Sequence, residues 1–112
     1  MPKTVLEAAA ALAAGRTTSA ALTEEALARI ADPSGEGSRA FMVVYTEAAR
    51  ATANAMDALR KAGRAPSPYA GIPISVKDLY DEAGITSRSG SVVLKGSAPA
   101  AVDAPTVQRL RR

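Results

Sequence analysis

Apolar residues in the first third of the chain recur at the spacing of amphipathic helices. Residues 4–7, Thr-Val-Leu-Glu, form a capping-box pattern and open a predicted helix that runs to about Ala14, where Gly15 can take the left-handed stop position. A second helix is predicted to start after Thr18 or Ser19. Its apolar stripe has a spacing of four residues: Leu22, Ala26 and Ile30.

Two short apolar runs have the pattern of strands. Phe41–Tyr45 is aromatic and β-branched, which predicts a buried strand. Residues 72–76 alternate in character, which predicts a second strand, and Pro73 favours an edge position or the strand start. Turn-forming residues at 32–38 precede the first of these strands.

A third helix is predicted between the two strands. Thr46 is its expected cap and Gly63 follows its last residue, near Ala62. On its outer face, Asp57 and Lys61 are spaced as a favourable i,i+4 ion pair. Its inner face is predicted to consist of Thr52, Ala55, Met56 and Leu59.

The chain is predicted to be one partial domain of the α/β class. Residues 1–63 form its helical part with one short strand, residues 64–70 form a proline-containing linker, and residues 71–112 hold the second strand, a loop and a last short helix. Asp103 is the expected cap of that helix, and Pro105 fits its first turn. The last helix reaches Arg112 without a Gly, Asn or Pro that would end it. We therefore expect the chain to be cut from a larger fold.

Composition supports a small, alanine-rich globular piece. Of the 112 residues, 47% are hydrophobic, but 26 are alanine, which buries little area. The net charge is +3 with 22% charged residues, which is ordinary for a folded protein. The longest apolar run is Ala8–Ala14, too short to span a membrane, and Glu7 lies inside what would be a signal peptide. We therefore expect a cytoplasmic protein with no membrane partner.

The chain contains no His and no Cys. Ser-His-Asp and Cys-His arrangements are therefore excluded within it, as are disulfides, zinc fingers and iron–sulfur sites. Chemistry must use Lys, Asp/Glu, Ser/Thr or Tyr. The acidic residues lack a metal-ligand spacing, so neither a metal nor a cofactor is expected.

Lys77 is the strongest candidate for chemistry. It follows a strand pattern, and sites in open α/β sheets gather beyond the carboxyl ends of strands. Burial among apolar neighbours lowers the pKa of a lysine, so that its neutral amine can act as a base. The alternative from the residues alone is a surface lysine that pairs with Asp78 or Asp81.

Residues 71–84, Gly-Ile-Pro-Ile-Ser-Val-Lys-Asp-Leu-Tyr-Asp-Glu-Ala-Gly, closely resemble the segment around the catalytic lysine of the amidase signature family. Downstream, residues 86–90 resemble the family's Thr/Ser-rich turn and residues 101–110 resemble its Asp-Ala-Pro helix start. The resemblance implies cleavage of carbon–nitrogen amide bonds by a Ser–cis-Ser–Lys triad in which Lys77 is the lysine. The Gly/Ser-rich segment that supplies both serines in that family has no counterpart here.

Other patterns compete with this interpretation more weakly. Ser89-Gly90-Ser91 is an ordinary polar loop by position, and a Ser75–Lys77 dyad lacks an oxyanion hole. Residues 15–19 precede a helix and suit capping better than anion binding. The arginines near residue 112 are typical of a solvated face, without the interleaved aromatic residues of a nucleic-acid site: Arg109, Arg111 and Arg112.

The resemblance predicts part of an amidase that acts on a small amide and is inactive alone, because both serines are missing. One alternative is the amidase-like subunit of an aminoacyl-tRNA amidotransferase, the case in which a nucleic acid is a partner. Another is a non-catalytic helical interaction module. Within this chain, we expect Lys77 to be open to solvent and to lack a serine relay.

Overall fold

The computed structural model describes residues 2–112. It contains five helices: α1 Val5–Ala13, α2 Ser19–Ala31, α3 Gly37–Ala40, α4 Thr46–Lys61 and α5 Pro105–Arg111. The chain divides into two compact units, Met1–Pro73 and Ile74–Arg112. The first unit holds α1 to α4, and the second holds α5 and the long loop that precedes it.

Helices α1 and α2 begin where their caps predict. The Thr4 hydroxyl accepts the backbone N–H of Glu7 at 3.1 Å, and the Glu7 carboxylate accepts the N–H of Thr4 at 3.2 Å, which completes the capping box. The Thr18 hydroxyl accepts the N–H of Ala21 at 3.0 Å. Gly15 follows the first helix with φ +70°, so the predicted caps of α1 and α2 are confirmed. The prediction that Thr46 caps the third helix was wrong, because Thr46 is the first residue of α4 and Tyr45 occupies the cap position.

The core of the first unit is small. Ala8, Leu12 and Leu22 form its buried cluster, and the partly buried Ile72 packs against it. Alanine supplies much of the buried surface of α1, so the helices can approach closely although few large side chains are available.

The face of α4 that turns inward differs from the predicted one. Ala53 is buried, whereas Thr52 and Ala55 are exposed and Leu59 is 38% exposed. Asp57 lies one turn beyond Ala53 on the same face, and its carboxylate bonds to the start of α2. The prediction was wrong for Thr52, Ala55 and Leu59, whereas Met56 is half-buried and its Cβ lies beside Gly71. The contact of this helix with the start of α2 is made by the Asp57 carboxylate, which an apolar pattern does not reveal.

A bidentate ion pair also joins α2 to α4. Arg50 donates to both carboxylate oxygens of Glu24, at 2.6 and 3.1 Å, and to Glu47 at 3.1 Å. The hydrogen bond from Arg50 and its positive charge lower the pKa of Glu24, and the same contact raises the pKa of Arg50.

Neither predicted strand forms. Phe41–Tyr45 is irregular and mostly exposed, with Met42 at 60% and Val43 at 54%, so the buried-strand prediction was wrong. Residues 72–76 are irregular as well. A strand needs a hydrogen-bonded neighbour, and residues 2–112 provide only an isolated parallel bridge between Ala83 and Ala100. The helical half of the α/β prediction is confirmed, while its sheet is not formed within the described residues.

The second unit is mostly turns and loop that lead to α5. Its helix begins after Ala104, with Pro105 in the first turn as predicted, but Asp103 does not cap it. The Asp103 carboxylate accepts the backbone N–H of Ala83 at 2.8 Å and pairs with Arg111 instead. Val107 is buried, whereas Val92 and Val93 are 80% and 85% exposed. None of the helices within residues 2–112 has the length and hydrophobicity of a transmembrane segment.

Candidate functional site

The chain that leads to Lys77 is fixed within the first unit. Arg60 donates to the carbonyl oxygen of Ala70 at 2.8 Å in a partly buried position. Gly71 has φ +86°, and a Cβ atom there would overlap the side chain of Ser19. Ile72 then packs on the apolar core. The start of the lysine segment is therefore held by the bond from Arg60 to Ala70, the close approach of Gly71 to Ser19 and the packing of Ile72.

The N-terminus of α2 is occupied by a carboxylate of α4. Asp57 accepts the backbone N–H of Ser19 at 2.7 Å and that of Ala20 at 2.9 Å. With Thr18 on the N–H of Ala21, these bonds use the free donors of the first helical turn. The capping interpretation of residues 15–19 is confirmed. No local signal identifies Asp57 as the partner, because it lies 38 residues from Ser19.

Lys77 lies in a turn of the second unit. Its carbonyl oxygen accepts the N–H groups of Leu79 at 2.7 Å and Tyr80 at 3.1 Å. The residue is exposed, as expected, although it follows an irregular segment and not a strand. Within residues 2–112 its ammonium group has no hydrogen bond or ion pair.

The two carboxylates that could have paired with Lys77 are bonded elsewhere. Asp78 accepts the backbone N–H of Arg88 at 3.0 Å, and Asp81 accepts the hydroxyl of Ser87 at 2.8 Å. Together they tie the turn at residue 77 to the segment that ends at residue 88. The structure thus gives no support to the alternative of a surface ion pair.

The candidate serines do not reach Lys77. Ser75 is exposed, and Ser91 accepts the backbone N–H of Val93 at 3.1 Å. Ser89 has φ +50° and Gly90 φ +68°, which makes a left-handed turn of the polar loop. Among residues 2–112, no hydrogen bond links a serine hydroxyl to the lysine.

The far end of this loop is closed by an arginine between two acidic side chains. Arg111 contacts Glu82 at 2.9 Å and Asp103 at 2.9 Å, and both carboxylates are mostly shielded from solvent. Arg111 is therefore paired within the unit, while Arg109 and Arg112 are exposed. In the described range, no group of three or more acidic residues could hold a metal ion.

The sequence of the chain matches a known family. The family model described as Amidase matches residues 21–112, so the chain belongs to the Amidase family. It is 42% identical over 100 residues to AtzE, the 1-carboxybiuret hydrolase subunit of Pseudomonas sp. strain ADP, covering 89% of this chain and 22% of that protein. It is 43% identical over 107 residues to a glutamyl-tRNA(Gln) amidotransferase subunit of Chloroflexus aggregans, covering 96% of this chain and 22% of that one.

A solved structure is also similar to this chain in sequence and fold. It belongs to work on a vestigial protein complex and the evolutionary origins of an s-triazine catabolic enzyme. It is 40% identical to this chain, with a TM-score of 0.84, and the match covers 96% of this chain and 23% of that one. The chain therefore spans about a fifth of the length of the proteins that it matches.

Proposed function

We propose that this chain is the lysine-bearing part of a longer enzyme that hydrolyses the carbon–nitrogen bond of a small amide. The observation that carries the proposal is the segment Gly71–Gly84, which lies inside the region matched by the Amidase family and presents Lys77 to solvent with its neighbouring carboxylates already bonded. The relative named as a 1-carboxybiuret hydrolase subunit supports a hydrolytic reaction.

In the proposed mechanism, Lys77 moves a proton and does not attack the substrate. In the complete enzyme, burial by sequence outside this chain would favour the neutral amine of Lys77, which then accepts a proton from a cis serine. That serine takes a proton from the nucleophilic serine as the nucleophilic oxygen attacks the amide carbon. The carbon–nitrogen bond then breaks, the proton returns to the leaving amine, and water hydrolyses the acyl-enzyme. Both serines and the oxyanion hole belong to sequence that this chain lacks, so the 112-residue chain should be inactive alone.

A second function within the same family is the amidase-like subunit of an aminoacyl-tRNA amidotransferase. The relatives named as glutamyl-tRNA(Gln) amidotransferase subunits favour it, including one in Streptomyces coelicolor that is 39% identical. In that case the ammonia released from an amide passes to a charged tRNA through partner subunits. A cytoplasmic location suits either function and belongs to the same proposal.

The test is ammonia release from small primary amides by the complete enzyme that carries this chain. We expect activity in the wild type, loss of it in Lys77→Ala, and wild-type rates in the control Lys95→Ala, which removes another exposed lysine of the second unit. Ammonia release that requires co-purified subunits and a charged tRNA would establish the amidotransferase. A complete protein that releases no ammonia under either condition would leave the non-catalytic interaction module.

A further inference from the structure

Asp78, the residue after Lys77, makes the partly buried bond of the loop. Its Oδ1 atom accepts the backbone N–H of Arg88 at 3.0 Å, across ten residues of sequence. A charge-assisted hydrogen bond that is shielded from water holds its geometry better than an exposed one. The peptide that follows Lys77 is therefore fixed to a second segment of the same unit.

Asp81 provides the comparison within the same loop. Its carboxylate accepts the Ser87 hydroxyl at 2.8 Å, so it closes nearly the same loop. This bond is exposed, however, and it joins two side chains that can both rotate. Asp78 instead accepts a hydrogen bond from the backbone of Arg88, so removal of its carboxylate would free the main chain next to the lysine.

The surroundings of the second carboxylate oxygen of Asp78 suggest a substitution that keeps the bond to the Arg88 N–H. Oδ2 is buried and has no hydrogen-bond partner within residues 2–112. Asparagine has the shape of aspartate, and its carbonyl oxygen can accept the Arg88 N–H while its amide nitrogen takes the place of Oδ2. Asparagine therefore separates a need for the acceptor at Oδ1 from a need for the negative charge.

We propose that Asp78 is a positioning residue for Lys77. By binding the Arg88 N–H, it fixes the main chain from which the lysine side chain extends, and so limits where the amine can lie. The inference rests on the proposed function, because it assumes that the Lys77 amine exchanges a proton with a serine. A displacement of about 1 Å at a reacting group can cost on the order of a hundredfold in rate.

The experiment compares amide hydrolysis by four variants of the complete enzyme: Asp78→Ala, Asp78→Asn, Asp81→Ala and Lys77→Arg. We expect Asp78→Ala to lower kcat by roughly 10- to 100-fold with KM nearly unchanged, because binding of substrate is not altered. Asp78→Asn should recover kcat to within about threefold of the wild type, because it keeps the acceptor. Asp81→Ala is the matched control and should stay near the wild-type rate.

The outcomes separate this inference from the proposed function. If Lys77→Arg is inactive and Asp78→Ala has a normal kcat, the positioning role is wrong and the catalytic lysine stands. If Asp78→Asn is as slow as Asp78→Ala, the carboxylate acts through its charge, which also overturns the positioning role. An active Lys77→Arg enzyme overturns both.

If Asp78→Ala fails to fold, Asp78→Glu replaces it in the comparison, because the longer side chain moves the acceptor away from the Arg88 N–H. A Glu variant as fast as the Asn variant contradicts the inference.

Discussion

The two units of the chain are stabilised in different ways. The unit Met1–Pro73 consists of helices with an apolar cluster and capped ends. In the unit Ile74–Arg112, Val107 is the side chain that is buried, and carboxylates bonded to backbone and side-chain donors close the loops. Local sequence patterns dictate the helix ends of the first unit, whereas the bonds that close the loops of the second unit depend on which distant groups meet.

The difference matters for function because the candidate lysine lies in the second unit. A loop held by polar bonds can place a side chain without burying it, and Lys77 is exposed there. Within the helical unit, Ile72, five residues before the lysine in sequence, packs on the apolar cluster. Substitutions in the two units should therefore lower the free energy of unfolding by different amounts, and the loss should be largest where packing is tight.

The largest effect is expected at Gly71 in the helical unit. Gly71→Ala places a methyl group on the Ser19 side chain at a backbone angle of φ +86°, so overlap and backbone strain add. We expect a loss of about 2–4 kcal/mol in the free energy of unfolding of the complete protein, measured with urea.

The matched control for this substitution is Gly63→Ala. Gly63 has φ +70°, but a Cβ atom there has open space, so only the backbone strain of about 1 kcal/mol should appear. Equal losses at the two positions would show that the close approach to Ser19 contributes nothing, and that the lysine segment is not anchored there.

A smaller effect is expected at Arg111 in the second unit. Arg111→Ala removes the contacts with Glu82 and Asp103, but the arginine is 52% exposed, so solvent screens much of the gain. We expect a loss of at most about 1 kcal/mol, reduced further in high salt. Arg109→Ala, which removes an exposed arginine of the same helix, should have no measurable effect. A loss at Arg111 as large as that at Gly71 would contradict the contrast between the units.

The smallest effect concerns the acid side of the stability curve. Arg50 lowers the pKa of Glu24 below its ordinary value of 4.5 in the folded state. This pair therefore adds stability above about pH 4.5, and the contribution is lost as the pH falls through the lowered pKa. Glu24→Gln should be slightly less stable than the wild type at pH 7 and should show a shallower decline in acid.

Asp32 allows a check that the effect belongs to the link between helices. Hydrogen bonds from Ser34 lower the pKa of Asp32 in the same direction, below 3.8, but this contact is local to one turn. Asp32→Asn should therefore change the acid decline only at lower pH. Urea unfolding of both variants between about pH 3 and pH 7 measures the difference, and identical curves would remove the role of the Glu24–Arg50 pair.

Sequence patterns identify those parts of the fold that are determined over a few residues. Thr4 with Glu7, Thr18 and Gly15 mark helix ends correctly because each acts on the turn beside it. The strand prediction for residues 41–45 was wrong because a β-branched run becomes a strand only when another strand pairs with it. The local pattern cannot say whether that neighbour is present.

The polar contacts of the site could not be predicted for a related reason. The spacing of Asp57 indicates an outward i,i+4 partner of Lys61, but Asp57 bonds to a helix start 38 residues away. Asp103 has the position of a cap, yet its carboxylate is taken by Ala83 and Arg111. The motif around Lys77 identifies it as the candidate, and the structure adds that the neighbouring carboxylates of Asp78 and Asp81 are bonded to other groups. Its catalytic role remains a prediction.

The most direct test of that role is amide hydrolysis by the complete enzyme with Lys77→Arg beside Lys77→Ala. Arginine keeps the positive charge and the approximate reach of lysine, but it does not give up its proton near neutral pH. If Lys77 exchanges a proton with a serine, both variants should lose at least about a hundredfold in kcat, with arginine no better than alanine. A Lys77→Arg enzyme that hydrolyses the amide at close to the wild-type rate would contradict the account, because a positive charge alone would then suffice.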